Sequence, residues 1–195
     1  MKLGKFNLEY NPLGNLTPKE VSATYHWNEE TIKFLAGIRK NTKQFYCIEG
    51  KKGVGKTSLL QVLSFQLNNS KYISFQKGDV VEPHNLNYKI LIIDRVYNLK
   101  LNQRMKLWTS GKIIIYSAHI DTYGLEQIFK GSKTKIKLGR QNFLELKEIV
   151  NSKLSLLNFN TGDFGESFSD ENIMKICEKH SGNPRGVINE LYFRL

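Results

Sequence analysis

The sequence predicts an α/β fold, with a parallel sheet covered by helices on both faces and a small all-helical segment after it. Three observations carry this. Five short apolar runs read as strands, helical periodicity fills the stretches between them, and no strand pattern follows Gly139. Strands that alternate with helices favour parallel pairing, because each crossover lays a helix across the sheet.

The elements follow in order. Residues 1–28 are aromatic and turn-rich (Tyr10 to Gly14, Thr17-Pro18, Tyr25 to Trp27), with enough apolar groups to lie on a folded body. A helix is expected from Asn28 to Ile38. Asn28 is a good N-cap, Glu29 and Glu30 suit the positive helix end, and Ile32, Leu35 and Ile38 form an inner stripe. Gln44 to Ile48 reads as a buried strand, and Ser58 to Leu67 as a helix carrying Leu59, Leu60, Val62, Leu63, Phe65 and Leu67. Lys71 to Phe75 is a second strand, and residues 76–87 read as loop. Lys89 to Asp94 is a continuous apolar run ending in an acid, as expected of a buried parallel strand. Further on come a helix over Leu99 to Thr109, a strand over Lys112 to Ser117, a helix over Asp121 to Phe129, and a strand over Lys133 to Leu138. Helices are then expected over Phe143 to Leu157, over Ser169 to Lys179, and after Pro184. This divides the chain into an α/β domain over residues 1–139, with residues 1–28 as its N-terminal linker, and a helical subdomain over residues 140–195.

At 195 residues with 40% hydrophobic content, the chain can bury a real core. Its 29 Lys and Arg against 18 Asp and Glu leave a formal charge of +11, which favours an anionic polymer or surface as partner. The two cysteines, Cys47 and Cys177, fall on apolar patterns and read as core residues, with no disulfide scaffold or metal site implied. No signal peptide is expected from Met1 to Phe6, and no apolar run approaches the ~20 residues that cross a bilayer. The expected compartment is cytoplasmic.

The chemistry is concentrated in residues 50–57, Gly-Lys-Lys-Gly-Val-Gly-Lys-Thr. They match the phosphate-binding pattern G-x-x-x-x-G-K-[ST] at every fixed position, between a strand and a helix as the pattern requires. A nucleoside triphosphate with Mg²⁺ is the implied ligand. Gly50, Lys51, Lys52, Gly53, Val54, Gly55, Lys56, Thr57 and Ser58 form the cradle, where backbone N–H groups and the helix N-terminus face the anion. Lys56 is expected to reach the β- and γ-phosphates, and the Thr57 hydroxyl to ligate Mg²⁺.

Asp94 closes the most apolar strand, at the end where parallel sheets present ligand-binding groups, and its carboxylate suits the Mg²⁺ shell. Arg95 follows it; an arginine stays protonated and cannot take a proton from water. His119 and Asp121, just past the 112–117 strand, are the candidates to position water instead. Ser117 ends the same strand with a hydroxyl that can address the γ-phosphate or the attacking water; the alternative is a strand-end hydroxyl satisfying backbone. In Ser181-Gly-Asn-Pro-Arg185, Gly182 suits a left-handed helix end, Asn183 an N-cap and Pro184 the first turn, which puts Arg185 in that turn with reach toward a γ-phosphate.

This combination resembles the AAA+ ATPases. The carrying residues are the Gly50 to Thr57 loop (Walker A), the acid-tipped strand at Asp94, the polar strand end at Ser117, and Gly182-Asn-Pro-Arg185. The pattern Asn11-Pro-Leu-Gly14, then Tyr25-His-Trp27 and a helix leading into the loop, is similar to the ExeA/TniB-like branch, and the helical end to origin-recognition and clamp-loader relatives. The resemblance implies a P-loop NTPase three-layer sandwich with a five-stranded parallel sheet and a helical lid. It implies ATP with Mg²⁺ as the bound nucleotide, Asp94 as Walker B acid, Ser117 as sensor 1, Arg185 as sensor 2, and residues near Leu13 and Trp27 by the adenine. It also implies a DNA-associated process such as replication, transposition or DNA defence, and an oligomer as a possible state. The chain departs from the family pattern where Arg95 replaces the usual Glu, and where Lys130 and Lys133 stand in place of an arginine finger.

No acid occurs between Asp94 and Asp121, a stretch containing Arg95, Lys100, Arg104, Lys106 and Lys112. Lys133, Lys135, Lys137 and Arg140, with Lys130 before them, form a second basic cluster. Such spacing suits successive phosphates of a nucleic acid, without any base-reading motif. Two readings follow: an ATP-dependent switch or weak ATPase working with DNA or a protein complex on it, and a non-hydrolysing, nucleotide-bound regulatory adaptor. A small P-loop kinase is a third reading that the helical C-terminal segment disfavours.

Overall fold

In a sheet covered on both faces, successive side chains point to opposite sides and both sides gain burial, so the apolar runs form strands. The computed structural model describes residues 16–40, 44–119, 133–156 and 161–193. Strands β1 (Phe45–Glu49), β2 (Ser70–Ser74), β3 (Ile90–Asp94), β4 (Ile113–Ala118) and β5 (Lys133–Lys137) form one sheet in the order β2-β3-β4-β1-β5. Every pairing is parallel. Central β3 and β4 are buried along their whole length, whereas edge strands β2 and β5 are half exposed, which suits their lysines and serines.

The contacts of the chain fall into two units. One takes in the described residues of 27–52 and 56–138, the other those of 1–26, 53–55 and 139–195.

In the sheet unit, helices lie on both faces. Helix α2 (Glu29–Arg39) is capped by Asn28, whose Oδ1 accepts from the Thr31 N–H at 2.9 Å while Thr31 Oγ1 accepts from the Asn28 N–H at 3.1 Å. Its buried stripe is Thr31, Phe34, Leu35 and Ile38, and Ile32 is 53% exposed. The expected stripe of Ile32, Leu35 and Ile38 is therefore corrected at its first member. Phe34 meets Tyr46 edge-on at 5.8 Å and the Tyr46 hydroxyl donates to Gly37 O at 3.0 Å, which turns Ile32 outward. Helix α3 (Lys56–Gln66) buries Leu59, Leu60, Val62 and Leu63 and contacts β2, β3 and β4. Phe65, expected inside, lies off that face and is exposed.

The opposite face of the sheet presents Phe45, Cys47, Leu91, Ile93, Ile114 and Tyr116 to Val96, Leu99, Leu107 and Trp108. The Trp108 ring stands edge-on to Phe45 at 5.6 Å and tilted to Tyr116 at 5.3 Å. The helix expected from Leu99 begins later. A short 3-10 turn (Val96–Asn98) precedes α4 (Leu101–Trp108), because Arg95 takes a left-handed conformation (φ 56°, ψ 39°) that ends the strand abruptly. Residues 76–87, read as loop, contain a 3-10 turn over Pro83–Asn87.

The helical unit contains α1 (Pro18–Thr24), α5 (Phe143–Ser155), α6 (Asp170–Lys179) and α7 (Pro184–Tyr192). Its core is Leu146, Val150 and Leu154 from α5, Phe168, Ile173, Ile176 and Cys177, and Val187 and Leu191 from α7. Helix α1 was not expected. Its signal is local: Thr17-Pro18-Lys19-Glu20 is a capping box with proline in the first turn. His26 Nδ1 pairs with Glu148 of α5 at 2.6 Å. The helix expected over residues 121–129 lies outside the described residues. Among the described residues no helix is long and apolar enough to cross a membrane.

Candidate functional site

The site grows from the turn between β1 and α3. The Gly50 N–H donates to Ala118 O at 3.2 Å, tying the start of the loop to the end of β4. Gly53 and Gly55 have φ of 93° and 95°, a region closed to most L-residues, so the pattern's central glycines are needed for the backbone to turn. Within the helical unit, a Cβ on Gly53 would fall on the Asn183 side chain, whereas one on Gly55 would meet nothing within 4 Å. Val54 is buried, and Lys51 and Lys52 are exposed.

Lys56 opens α3 and folds back over the loop. Its Nζ donates to Gly50 O at 2.5 Å and Lys51 O at 2.7 Å, and stands 3.4 Å from His119 Nδ1. A lysine ammonium at the mouth of a helix is placed to meet an anion entering the loop. Ser58 follows in the first turn of α3, half-buried.

Thr57 and Asp94 lie 37 residues apart and meet. Thr57 Oγ1 donates to Asp94 Oδ2 at 2.8 Å, and Ser117 Oγ donates to Asp94 Oδ1 at 2.7 Å. The Arg95 N–H adds a bond to Oδ1 at 3.0 Å, and the Tyr72 hydroxyl approaches Oδ2 at 3.5 Å. Asp94 is only 4% exposed, and a buried carboxylate is tolerated when donors surround it in this way. The donor chemistry fits a divalent cation. Thr57 has one hydroxyl proton, and giving it to Asp94 leaves its oxygen lone pairs for a metal. Asp94 supplies the negative charge behind it.

Tyr72 is the neighbour that sequence reasoning missed. Its strand pairs with β3 in the register Tyr72↔Ile92 and Ser74↔Asp94, so its side chain lies on the same face as Asp94, one pleat away. Burial, and then the Asp94 charge, push its phenol up to about 12, so it remains a proton donor at neutral pH. Only the strand register could reveal it.

Of the two candidates for positioning water, His119 stands beside Lys56 with its ring 5.9 Å from that of Tyr97. Asp121 lies outside the described residues. The Arg95 guanidinium is turned toward Gln76, with Nη1 3.5 Å from Oε1. In the helical unit, Gly182 has φ 69°, Asn183 Oδ1 accepts from the Arg185 N–H at 3.1 Å, and Arg185 is exposed in the first turn of α7. Trp27 is half-buried before α2, and Leu13 is outside the described residues.

The basic clusters differ in availability. Arg95, Lys100, Lys106, Lys137 and Arg140 are exposed, and Arg104 and Lys112 half-buried. Lys133 lies over the Tyr116 ring at 5.6 Å and Lys135 pairs with Glu49 at 3.2 Å. Among the described residues no group of three or more His, Cys, Asp and Glu gathers into a metal site; the metal chemistry on offer is the hydroxyl–carboxylate kind at Thr57 and Asp94.

No protein-family model matches this chain, and no curated protein does. Solved structures do. AMPPCP-bound DnaA from Aquifex aeolicus is similar over 91% of this chain and 65% of its own, with TM-score 0.62 and 17% identity. A DNA replication initiation factor matches over 91% and 64%, with TM-score 0.61 and 18% identity. Hsp104 of S. cerevisiae, solved in complex with casein in an extended conformation, matches over 83% and 35%, with TM-score 0.58 and 14% identity. The chain spans less than two thirds of the length of each of these proteins. What is shared is the fold, an α/β arrangement with a five-stranded parallel sheet and flanking helices.

Proposed function

We propose that this chain binds ATP with Mg²⁺ and acts as a nucleotide-dependent switch, or a weak ATPase, in a DNA-associated process. The observation that supports this most directly is the Asp94 carboxylate held between the Thr57 and Ser117 hydroxyls, at the end of β3 beside the first turn of α3. Gly50 to Ser58 would cradle the phosphates, Lys56 would contact the β- and γ-phosphates, and Thr57 and Asp94 would hold Mg²⁺. When bound, Mg·ATP supplies the phosphoanhydride bond and the charge that the cation neutralises. Ser117 would address the γ-phosphate or water, and Arg185 would add a cation from the first turn of α7. The protein solved with AMPPCP bound has the same fold. The process would be replication, transposition or DNA defence, in the cytoplasm, and an oligomer is compatible with this reading.

Calorimetric titration with ATP in Mg²⁺ tests the reading. Wild-type chain is expected to bind and Lys56→Ala to lose binding; tight binding by that variant would remove the basis of the proposal.

One observation favours a second reading, a non-hydrolysing regulatory adaptor. Arg95 occupies the place after the strand-end acid, and its side chain cannot accept a proton. Single-turnover assays separate the two. Hydrolysis that disappears in Asp94→Asn supports the ATPase, and bound ATP that persists unchanged supports the adaptor.

A further inference from the structure

The two oxygens of Asp94 are held unequally. Oδ1 accepts from the Ser117 hydroxyl at 2.7 Å and the Arg95 amide at 3.0 Å, one of them a main-chain group that cannot turn away. Oδ2 accepts from Thr57 at 2.8 Å and from Tyr72 at 3.5 Å. Thr57 cannot fix the oxygen on which its own orientation depends. Its hydroxyl proton must point at Oδ2 for its lone pairs to face a cation. A rotation of the carboxylate about its terminal torsion, which is soft, would let the threonine turn as well. Among the described residues, Tyr72 is the donor to Oδ2 that comes from outside this pair.

Tyr72 is placed for that duty by the sheet. It projects from edge strand β2, which pairs in register with β3, and its phenol lies on the Asp94 side of the sheet. The phenol hydroxyl is the donor in this pair, and the carboxylate oxygen accepts. At 3.5 Å the bond is long, and its effect is that of an oriented dipole on a buried charge, which low dielectric strengthens.

We infer that Tyr72 is a positioning residue: it steadies Asp94 Oδ2 so that the Thr57 hydroxyl keeps its lone pairs turned toward Mg²⁺. This inference rests on the reading of the site as an Mg·ATP site and adds a residue that neither the phosphate-loop pattern nor the strand-end acid implies. Tyr72 touches neither phosphate nor water in this role, and acts through Asp94 alone.

The test is ATP affinity measured by calorimetry as Mg²⁺ is titrated, and again in excess EDTA, for the wild-type chain, Tyr72→Phe, Asp94→Asn and the double variant. Tyr72→Phe is expected to raise the Mg²⁺ midpoint by about threefold to tenfold, the worth of one hydrogen bond. Affinity in EDTA should stay as in wild type. In the Asp94→Asn background, Tyr72→Phe should change the Mg²⁺ midpoint no further. An unchanged midpoint in Tyr72→Phe overturns the proposal, as does an equal loss with and without Mg²⁺, or full additivity with Asp94→Asn. Absence of any Mg²⁺-dependent ATP binding by the wild-type chain is a separate outcome, overturning the Mg·ATP reading and this inference together.

Discussion

The Thr57 hydroxyl donates to Asp94 Oδ2 at 2.8 Å, joining the first turn of α3 to the end of β3. The bond sets the direction of the threonine lone pairs, and under the proposed function it would decide whether a cation finds a ligand there. Thr57→Val keeps the shape and removes the hydroxyl. It should lower ATP affinity in Mg²⁺ by about tenfold or more, as expected when a metal ligand or its supporting partner is lost. Affinity in EDTA should hardly change, and Thr57→Ser should keep most of the Mg²⁺ effect. Calorimetry in the two buffers checks this, and equal loss in both would place the role of Thr57 elsewhere.

Ser117 has a second consequence, for stability. It is 3% exposed and donates to a carboxylate that is 4% exposed. Ser117→Ala removes a hydrogen bond to a buried charge, which costs about 1.5–3 kcal/mol. Urea unfolding followed by circular dichroism should show that loss, and a change within experimental error would mean that Asp94 is held without it.

Lys153 makes the helical unit sensitive to alkaline pH. Burial lowers its pKa from 10.5 to about 8. The folded chain therefore releases this proton before the unfolded chain does. Stability is reduced below pH 8, rises between pH 8 and 10.5, and is fully regained above that range. Lys153→Met should be more stable than wild type at pH 7 and should flatten the rise. Urea midpoints across pH 7 to 10.5 give the answer, and parallel curves for the two proteins would refute it.

Gly182 is required by backbone and space together. Its φ is 69°, and a Cβ there would fall on the Gln141 carbonyl, while the Gln141 N–H donates to Gly182 O at 3.0 Å. Gly182→Ala should cost about 1–2 kcal/mol from the left-handed conformation alone, and more from the clash. The thermal midpoint should drop, and Arg185 would lose its fixed place at the start of α7. An unshifted midpoint would show that the corner can rearrange.

The proposed nucleic-acid contact predicts its own salt law. Each phosphate neutralised should contribute roughly −0.9 to the slope of log affinity against log salt on duplex DNA. Lys100→Glu with Lys106→Glu should weaken binding and flatten that slope, because both residues are exposed and lie in a stretch without acids. Fluorescence anisotropy with labelled DNA at several salt concentrations measures this, and no binding at low salt would end the DNA part of the reading.

Much of the fold was legible because its signals are local. Strand ends shifted by a residue or so: Gln44 to Ile48 became Phe45–Glu49, and Lys112 to Ser117 became Ile113–Ala118. The caps at Asn28 and Asn183 also stand where short-range chemistry puts them. Ile32 and Phe65 were misplaced because which side of a helix is inside depends on what it packs against. Helix α1 was not expected although its capping box is plain in Thr17 to Glu20; its 7 residues are too few to show a helical period.

By itself the sequence determined the glycine-rich turn between β1 and α3, the alternation of strands with helices and the acid at the end of β3. Each is written in a few consecutive residues whose backbone preferences and periodicity need no distant partner. Tertiary structure decided the rest. Strand order brought Ser117 and Tyr72 to Asp94 from β4 and β2, and it set His119 beside Lys56. The physical reason is that a parallel sheet pairs strands far apart in the chain. Which side chains share a buried carboxylate then follows from register and face, and no local pattern encodes either.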